Sequence, residues 1–467
     1  MRLNLSFIKK KFSSASFFNL PQNLDLLVDI SIDSRSLKKG QFYLALKGEN
    51  FDGHDFINDA IKNGAVGLII NELQTDCLNK ITKKFLSKII VIKVPQTHDF
   101  LSQLAKKWRH NFKIPIVGIT GSVGKTTTKQ MIHHILKTSD INSFASYKNQ
   151  NNLIGLPLNI LKLTNEYKVA VFELGISQKG EMDQLVDILR PTICVITNIS
   201  SAHVQGLGNL KNIAEEKFKI FKYLKSDEIA VLWGDQKILE KSFRHPVVRF
   251  GNSRSNHIHA RRIKFDSTND KISVSFDLHF YKQKKKVKLN AGHSGFVSNA
   301  LASITVSHFL NINFEKIIKG IESYSGFEER FELKALKDKK GFLINDSYNA
   351  CPHSMKVAIE SFDKIKGNCE KIAILGDMLE LGKKQVYWHR YIGRLLAKTK
   401  TIKNVILVGK QANVIADLLP FAVRVKSVDT WKSALSEYFN LSKTNNLILI
   451  KASHGVDLHK LVEKIID

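Results

Sequence analysis

The run Thr120-Gly121-Ser122-Val123-Gly124-Lys125-Thr126-Thr127 has the residue types that a phosphate group requires. Small residues let backbone N–H groups close on an anion, and a helix beginning there adds the positive end of its dipole. Lys125 can reach outer phosphates, and the Thr126 hydroxyl can ligate magnesium. The general phosphate-loop pattern asks for a glycine five residues before Gly124; Ile119 stands there, and the loop's first glycine is Gly121, so this is a variant loop. An ordinary glycine turn is the competing reading, but Gly-Lys-Thr-Thr where a strand becomes a helix favours a site for ATP or GTP. Further on, Glu173 lies at the end of the apolar run Val169 to Leu174, where nucleotide-binding sheets hold magnesium or its water. His203 follows the run Ile193 to Ile199, just past Thr197-Asn198; a loop histidine and a site histidine are equally good readings. Three more apolar runs end in polar clusters, Asp346-Ser347-Tyr348-Asn349, Gly376-Asp377-Met378-Leu379-Glu380 and Lys451-Ala452-Ser453-His454.

Elements must hold these groups in place. Ile114 to Ile119 reads as a buried strand, and Met131, Ile132 and Ile135 fall on one side of the helix after the loop. Short apolar runs alternate with helical spacing along the whole chain, which predicts parallel sheets with ligands at the carboxyl ends of strands. In the first part, strands are expected over Gly40 to Leu46, Ala65 to Ile70 and Ile89 to Val94, with helical spacing at Phe56-Ile57-Ala60-Ile61. Asp33-Ser34-Arg35 and the stretch Lys47 to His54, which contains Asp52, lie in loops beside these strands; by themselves they are turn chemistry. Ile258 to Leu289 alternates as a hairpin or meander, and Gly292-His293-Ser294-Gly295 precedes a helix that carries Asn299. The last part has strands at Phe342 to Ile344, Ile372 to Leu375, Val405 to Val408 and Leu447 to Ile450, with a helix at Ala412 to Leu419 between the last two.

The chain's 467 residues are too many for one ordinary domain. No apolar run reaches the roughly 20 residues a membrane helix needs. Four cysteines, Cys77, Cys194, Cys351 and Cys369, have no paired spacing, which argues against a disulfide framework or zinc site and fits a reducing cytoplasm. The net charge of +28 could mark nucleic-acid binding, but the basic residues are spread along the chain without interleaved aromatics. A lysine-rich solvated surface is the favoured reading, and no nucleic-acid partner is expected. The first 24 residues lack acids and could pass for a targeting peptide, but the patterned sequence from Leu20 to Ile32 continues unbroken, so they read as part of the first domain.

Taken together, these residues resemble the Mur ligase family of ATP-dependent amide-bond formers, over about Ile32 to Asp457. Thr120 to Thr127 resembles that family's own phosphate loop, which accounts for Ile119. Asp33-Ser34-Arg35 with the Asp52-Gly53-His54 region is similar to its amino-terminal uridine-nucleotide domain. Asp346-Ser347-Tyr348-Asn349-Ala350 and Leu375 to Gly382 resemble the branch that joins D-alanyl-D-alanine to UDP-N-acetylmuramoyl-tripeptide; the Asp-Asn-Pro-Arg motif of the branch adding the third residue is absent. The resemblance implies an α/β protein of three domains. These are a small α/β uridine-nucleotide domain (1–112), a central P-loop parallel-sheet ATPase domain (113–326) and a C-terminal Rossmann-like α/β domain (327–467).

The same resemblance implies residue roles. Gly121, Ser122, Val123, Gly124, Lys125, Thr126, Thr127, Asn299, Arg330, Asp346, Tyr348 and Asn349 would contact ATP. Thr126, Glu173, His203 and a carbamylated Lys217 would hold Mg2+, and Lys125, Lys217, His203 and Glu173 would form the catalytic group. Ser34, Arg35, Lys47, Asp52, His54, Asn151 and Asn152 would meet the muramoyl substrate. On spacing alone Lys217 would be a helix-surface lysine; as a carbamate it becomes an anion able to hold a second magnesium. The chain departs from the family pattern at Cys351, His353, Ala452 and His454, where Asn, Asp, Gly and Arg are usual. The last change loses a permanent forked charge. A cytoplasmic monomer acting in peptidoglycan precursor synthesis is the expectation. The alternatives are a sibling ligase, or a P-loop protein that binds nucleotide without ligase activity. No residue declares itself the base for the attacking amine; His389 could serve, or could be a helix-surface histidine.

Overall fold

The computed structural model describes residues 2–147, 149–200, 204–267, 271–290, 292–336, 341–367, 369–442 and 445–466; of Lys80, Lys83, Lys84 and Val204 only the backbone is described. Three sheets carry the fold. The first contains β1 (Ser16–Phe18), β2 (Ile30–Ser31), β3 (Phe42–Leu44), β4 (Gly67–Asn71) and β5 (Ile90–Val94), in spatial order β1-β5-β4-β3-β2. Only β1 runs antiparallel to its neighbour, with Phe17 opposite Ile92. The acid-free stretch thus contains the helix Leu5–Lys11 and a strand of this sheet.

The helix Thr97–Arg109 links this sheet to the next. Phe100, Leu101, Leu104, Ala105 and Trp108 recur at helical spacing and are buried. Its end is fastened to the central domain: Trp108 Nε1 donates to the Leu163 carbonyl at 3.2 Å, and Arg109 Nε donates to the Leu189 carbonyl at 2.8 Å. First and central domains consequently share a continuous apolar core.

The central sheet has nine strands: β6 (Ile116–Thr120), β7 (Ser143–Ala145), β8 (Val169–Glu173), β9 (Ile193–Ile196), β10 (Ile229–Trp233), β11 (Val247–Gly251), β12 (Ile258–Ser267), β13 (Ile272–Phe280) and β14 (Gln283–Leu289). Their order is β14-β13-β12-β11-β10-β9-β6-β8-β7. Pairing is parallel from β7 to the start of β12 and antiparallel from there to β14. The expected hairpin is therefore an extension of the same sheet. Val274, Phe276, Leu278 and Phe280 bury one face of it, while Lys284, Lys285, Lys286 and Lys288 are exposed on its free edge strand. The helix Lys125–Thr138 packs Met131, Ile132, Ile135 and Leu136 into the core. Each such side chain contributes about 1.5–3 kcal/mol of burial, so the helix start is rigidly placed.

The third sheet holds β15 (Glu332–Ala335), β16 (Phe342–Asn345), β17 (Glu370–Gly376), β18 (Ile402–Val408), β19 (Arg424–Val428) and β20 (Asn446–Lys451), in order β15-β16-β20-β17-β18-β19. All pairs are parallel except β15 with β16. The helix expected near Ala412 is a 3-10 run, Ala412–Leu418. Asp377 explains where it starts: one carboxylate oxygen accepts the N–H groups of Gln411 and Ala412 at 3.0 and 2.6 Å.

Candidate functional site

A cavity of about 700 Å³ opens between the carboxyl ends of the central and C-terminal sheets. Its floor is the loop after β6. Gly121 has φ +148° and Gly124 +89°, and a Cβ at either would run into Thr197 Oγ1 (1.9 Å) or Asn299 Oδ1 (2.3 Å). Backbone freedom and close approach therefore both demand glycine at these two positions. Asn198 braces the loop: its carbonyl accepts the Ser122 N–H at 2.9 Å and its Oδ1 accepts the Val123 N–H at 2.8 Å. The first-turn N–H groups of Lys125–Thr138 remain as the helix's orphan donors, aimed at the cavity. Lys125 Nζ curls back to donate to the Gly121 carbonyl at 2.9 Å, and burial lowers its pKa, with Glu173 opposing that shift.

Glu173, at the end of β8, is buried and heavily engaged. Thr126 Oγ1 donates to its Oε2 at 2.9 Å, Asn151 Nδ2 donates to its Oε1 at 3.0 Å, and Lys129 Nζ lies 3.7 Å from Oε2. Asn152 does a different job: its Oδ1 accepts the N–H groups of Gly155 and Ile154, which fixes the start of the next helix. Lys217, on the helix Leu210–Phe218, is no surface lysine; it is 1% exposed. Among the described residues its Nζ makes one long hydrogen bond, 3.5 Å to Thr120 Oγ1. Burial drives its pKa well down, Lys125 adds to the effect, and Glu173 and Glu216 oppose it. A neutral amine is thus accessible here. His203 lies outside the described residues.

The facing wall comes from the C-terminal domain. Arg330 stacks its guanidinium 3.7 Å from the Tyr348 ring centroid and donates from Nη2 to Thr126 Oγ1 at 3.2 Å. Its Nε is buried and has no hydrogen-bond partner among the described residues. Asp346 is paired with buried Lys451 at 2.7 Å and also accepts the Phe331 N–H. Lys451 donates in addition to the Asn349 carbonyl at 2.9 Å. Cys351 caps the helix Pro352–Lys364, His353 is exposed in that helix's first turn, and Ala452 is fully buried behind the wall. Asn299, Asp346, Tyr348, Asn349, Asn151 and Asn152 all line the cavity with the loop residues.

The first-domain candidates do not line it. Arg35 is exposed and forms a two-bond fork with Asp33, both bonds 2.9 Å. Ser34 is buried, and its carbonyl accepts the side-chain amide of Asn63. Asn71 N–H donates to His54 Nε2 at 3.0 Å, so the ring proton sits on Nδ1 and is given to Asp52 at 2.6 Å. Asp52 also accepts from Gln74 at 2.8 Å. Lys47 is exposed, its loop held by a bridge to Asp52 and by His98 on its carbonyl. His389 is corrected on both readings: it is fully buried, off the cavity, with Nε2 accepting the Met378 N–H and Nδ1 on the Gln385 carbonyl. It braces the loop after β17 and has no nitrogen to spare for an amine.

Lys129 and His293 were given no role from sequence, and Lys451 only a place in a strand-end cluster. Lys129 follows Lys125 by one helical turn, a spacing that could have placed it beneath the loop. Lys451 and His293 gave weaker signals. His293 accepts the Gly295 N–H and sits between the rings of Phe296 and Phe331; burial, with help from Lys451, lowers its pKa to about 3.

The donor set can be tested against magnesium. Glu173 and Thr126 present hard oxygens under the phosphate loop, while no cluster of three His, Cys, Asp or Glu gathers among the described residues. Few protein ligands plus substrate phosphates is how magnesium is usually held, so the set fits. The orphaned Arg330 Nε fits an anion beside it.

Comparison with known proteins agrees with this geometry. Profiles of the Mur ligase family match in three blocks: the catalytic domain at residues 28–109, the middle domain at 119–307 and the glutamate ligase domain at 329–454. A UDP-N-acetylmuramoyl-tripeptide–D-alanyl-D-alanine ligase of Bacillus subtilis is 33% identical, over 94% of this chain and 93% of the relative. An Escherichia coli protein of the same name is 29% identical, over 94% of each. Among solved structures, MurF of Acinetobacter baumannii superposes with a TM-score of 0.85 at 26% identity, over 100% of this chain and 99% of that one. MurF of Thermotoga maritima in complex with ADP gives 0.78 at 26% identity, over 93% and 96%.

Proposed function

The chain belongs to the Mur ligase family, and from that premise we infer that it joins D-alanyl-D-alanine to UDP-N-acetylmuramoyl-tripeptide with ATP, in the cytoplasmic assembly of peptidoglycan precursors. The observation that carries the reading is the cavity: a phosphate loop on one wall faces Arg330 and Tyr348 on the other, and Thr126 touches both Glu173 and Arg330. The tripeptide's terminal carboxylate attacks the γ-phosphate, ADP leaves, and an acyl phosphate forms. The amine of D-alanyl-D-alanine then attacks the acyl carbon and phosphate departs.

Lys125 and the helix N-terminus hold the transferring phosphoryl group as its charge shifts. Arg330, whose Nε has no partner among the described residues, stands beside the same anion, while Asn299, Asp346, Tyr348 and Asn349 frame the nucleotide. Thr126 and Glu173, with His203 and a carbamylated Lys217, would hold magnesium. When bound, the ion supplies charge stabilisation to the phosphates. The carbamate forms when the neutral Lys217 amine adds to carbon dioxide and releases a proton, a step that its depressed pKa favours. Asn151 steadies Glu173, and Asn152 shapes the loop that meets the peptide. Ser34, Arg35 and Lys47 meet the uridine nucleotide, with Asp52 and His54 fixing their loop. The working division is 1–112, 113–326 and 327–467, in a protein acting as a monomer.

The test is phosphate release from ATP with magnesium. Release that requires both muramoyl-tripeptide and D-alanyl-D-alanine, with a pentapeptide product by mass, is expected. Release indifferent to both would leave only a nucleotide-binding protein.

A further inference from the structure

Lys129 takes no part in the steps above, yet it is a fully buried charge one helical turn beyond Lys125 and Thr126. A buried ammonium needs fixed partners. Its Nζ donates to the Ser146 carbonyl at 2.7 Å. It also lies 3.7 Å from Glu173 Oε2, an ion pair longer than a hydrogen bond. Ser146 is fixed in turn: its N–H donates to the Val171 carbonyl at 2.9 Å, and its Oγ accepts the Glu173 N–H at 3.2 Å. The ammonium is therefore moored to backbone beside Glu173 and stays there whichever way the carboxylate turns.

The carboxylate itself is held from the cavity side. Thr126 Oγ1 donates to Oε2 at 2.9 Å and Asn151 Nδ2 to Oε1 at 3.0 Å. Lys125 and Arg330 add positive charge to the same neighbourhood. Asp346, another acid on the cavity wall, is already paired with Lys451 at 2.7 Å. A dication approaching Glu173 thus competes with a lysine it cannot displace, and the pair repels it at short range through a poorly screened interior.

Resting on the nucleotide and magnesium reading above, we propose that Lys129 is a positioning residue that acts through Glu173. It is the resident counter-ion of that carboxylate and weakens its hold on a free dication, so the cation enters together with nucleotide phosphates, whose charge outweighs the lysine. The cost falls on affinity for bare metal, and the gain is a site that metal alone does not fill.

The experiment titrates the full chain with Mn2+, read by electron paramagnetic resonance, without nucleotide. Lys129→Met, which keeps the length and removes the charge, is expected to tighten Mn2+ binding by about 10-fold or more. Lys129→Gln, which can still donate to the Ser146 carbonyl, is expected to do the same. Adding Glu173→Gln to either variant is expected to remove the gain. A lysine that merely supports packing would move none of these affinities upward. Calorimetry with ADP and magnesium checks that each single variant keeps its nucleotide site; should the methionine variant not fold, the glutamine variant carries the same test. With that site intact, an Mn2+ affinity unchanged or weakened, a gain absent from Lys129→Gln, or a gain that survives Glu173→Gln would each overturn the assignment. An unaltered protein that binds no ADP would instead defeat the nucleotide-site reading.

Discussion

Two regions of this molecule carry polar motifs at strand ends, and they use them in opposite ways. In the first domain the polar groups satisfy one another: Arg35 is forked to Asp33, and His54 has both ring nitrogens engaged, with Asp52 and Asn71. In the cavity between the other two domains satisfaction is incomplete. Among the described residues Arg330 keeps a buried Nε without a partner, and Lys217 is buried with one long hydrogen bond. A polar motif that closes on itself presents a preshaped loop, with Arg35 and Lys47 exposed on it to meet a ligand; one left open at a cost in desolvation needs a ligand to complete it.

Breaking the open region should have the largest effect. Lys125→Ala is expected to lower substrate-dependent phosphate release by about 10³-fold, as when a preorganised charge donor is lost. Lys217→Ala should lose about 10²-fold or more, with partial recovery on adding short-chain carboxylates. The carbamate reading is sharpened by pH. Lys217 has a folded pKa depressed by burial and by Lys125, so raising the pH enlarges the reactive neutral fraction and lowering it removes that fraction. Activity of the unaltered enzyme should fall in carbon-dioxide-free buffer and more steeply at the acid end.

The closed region should respond differently. His54→Ala leaves the Asn71 N–H and the Asp52 carboxylate short of a partner and should cost about 1–3 kcal/mol of stability by denaturant titration. Turnover with saturating substrates should stay within a few-fold of the unaltered protein. A collapse of kcat instead would erase the contrast between the two regions. The last effect is confined to acid and concerns His293. Its folded value of about 3 lies below the ordinary 6.5, so the unfolded chain binds the extra proton. Its contribution is intact above about pH 6.5 and lost as pH falls toward 3. His293→Asn should flatten the acid slope of the melting temperature across that window.

Much of this was legible in the sequence, for particular reasons. The strand, loop and helix from Ile116 to Thr138 each have a period or residue type that only one backbone satisfies, and Glu173 is fixed by its place at a strand end. Arg330 is another matter: it became a site residue because stacking on Tyr348 carries it to Thr126, 204 residues earlier in the chain. Nothing local announces that. The helix Leu210–Phe218 looked solvated because Glu215, Glu216 and Lys217 read as a charged face, yet its last turn buries Lys217 among groups from β6. His389 misled in the same way, since a histidine bracing a backbone N–H has no signature distinct from a catalytic one.

The lysine-rich edge strand β14 has a consequence for life in a crowded cell. A sheet that ends in an exposed edge strand is an invitation to a second copy, strand against strand. Lys284, Lys286 and Lys288 put like charge along that edge, Lys285 is paired with Glu315 at 3.0 Å, and the Lys288 N–H is taken by Glu322 at 3.2 Å, so a second copy would meet charge and a backbone already partly engaged. The opposite edge, β7, offers only three residues. Part of the positive charge that looked like an address for a polyanion thus sits where edge pairing would have to begin, and its reach is the Debye length, about 8 Å at physiological salt.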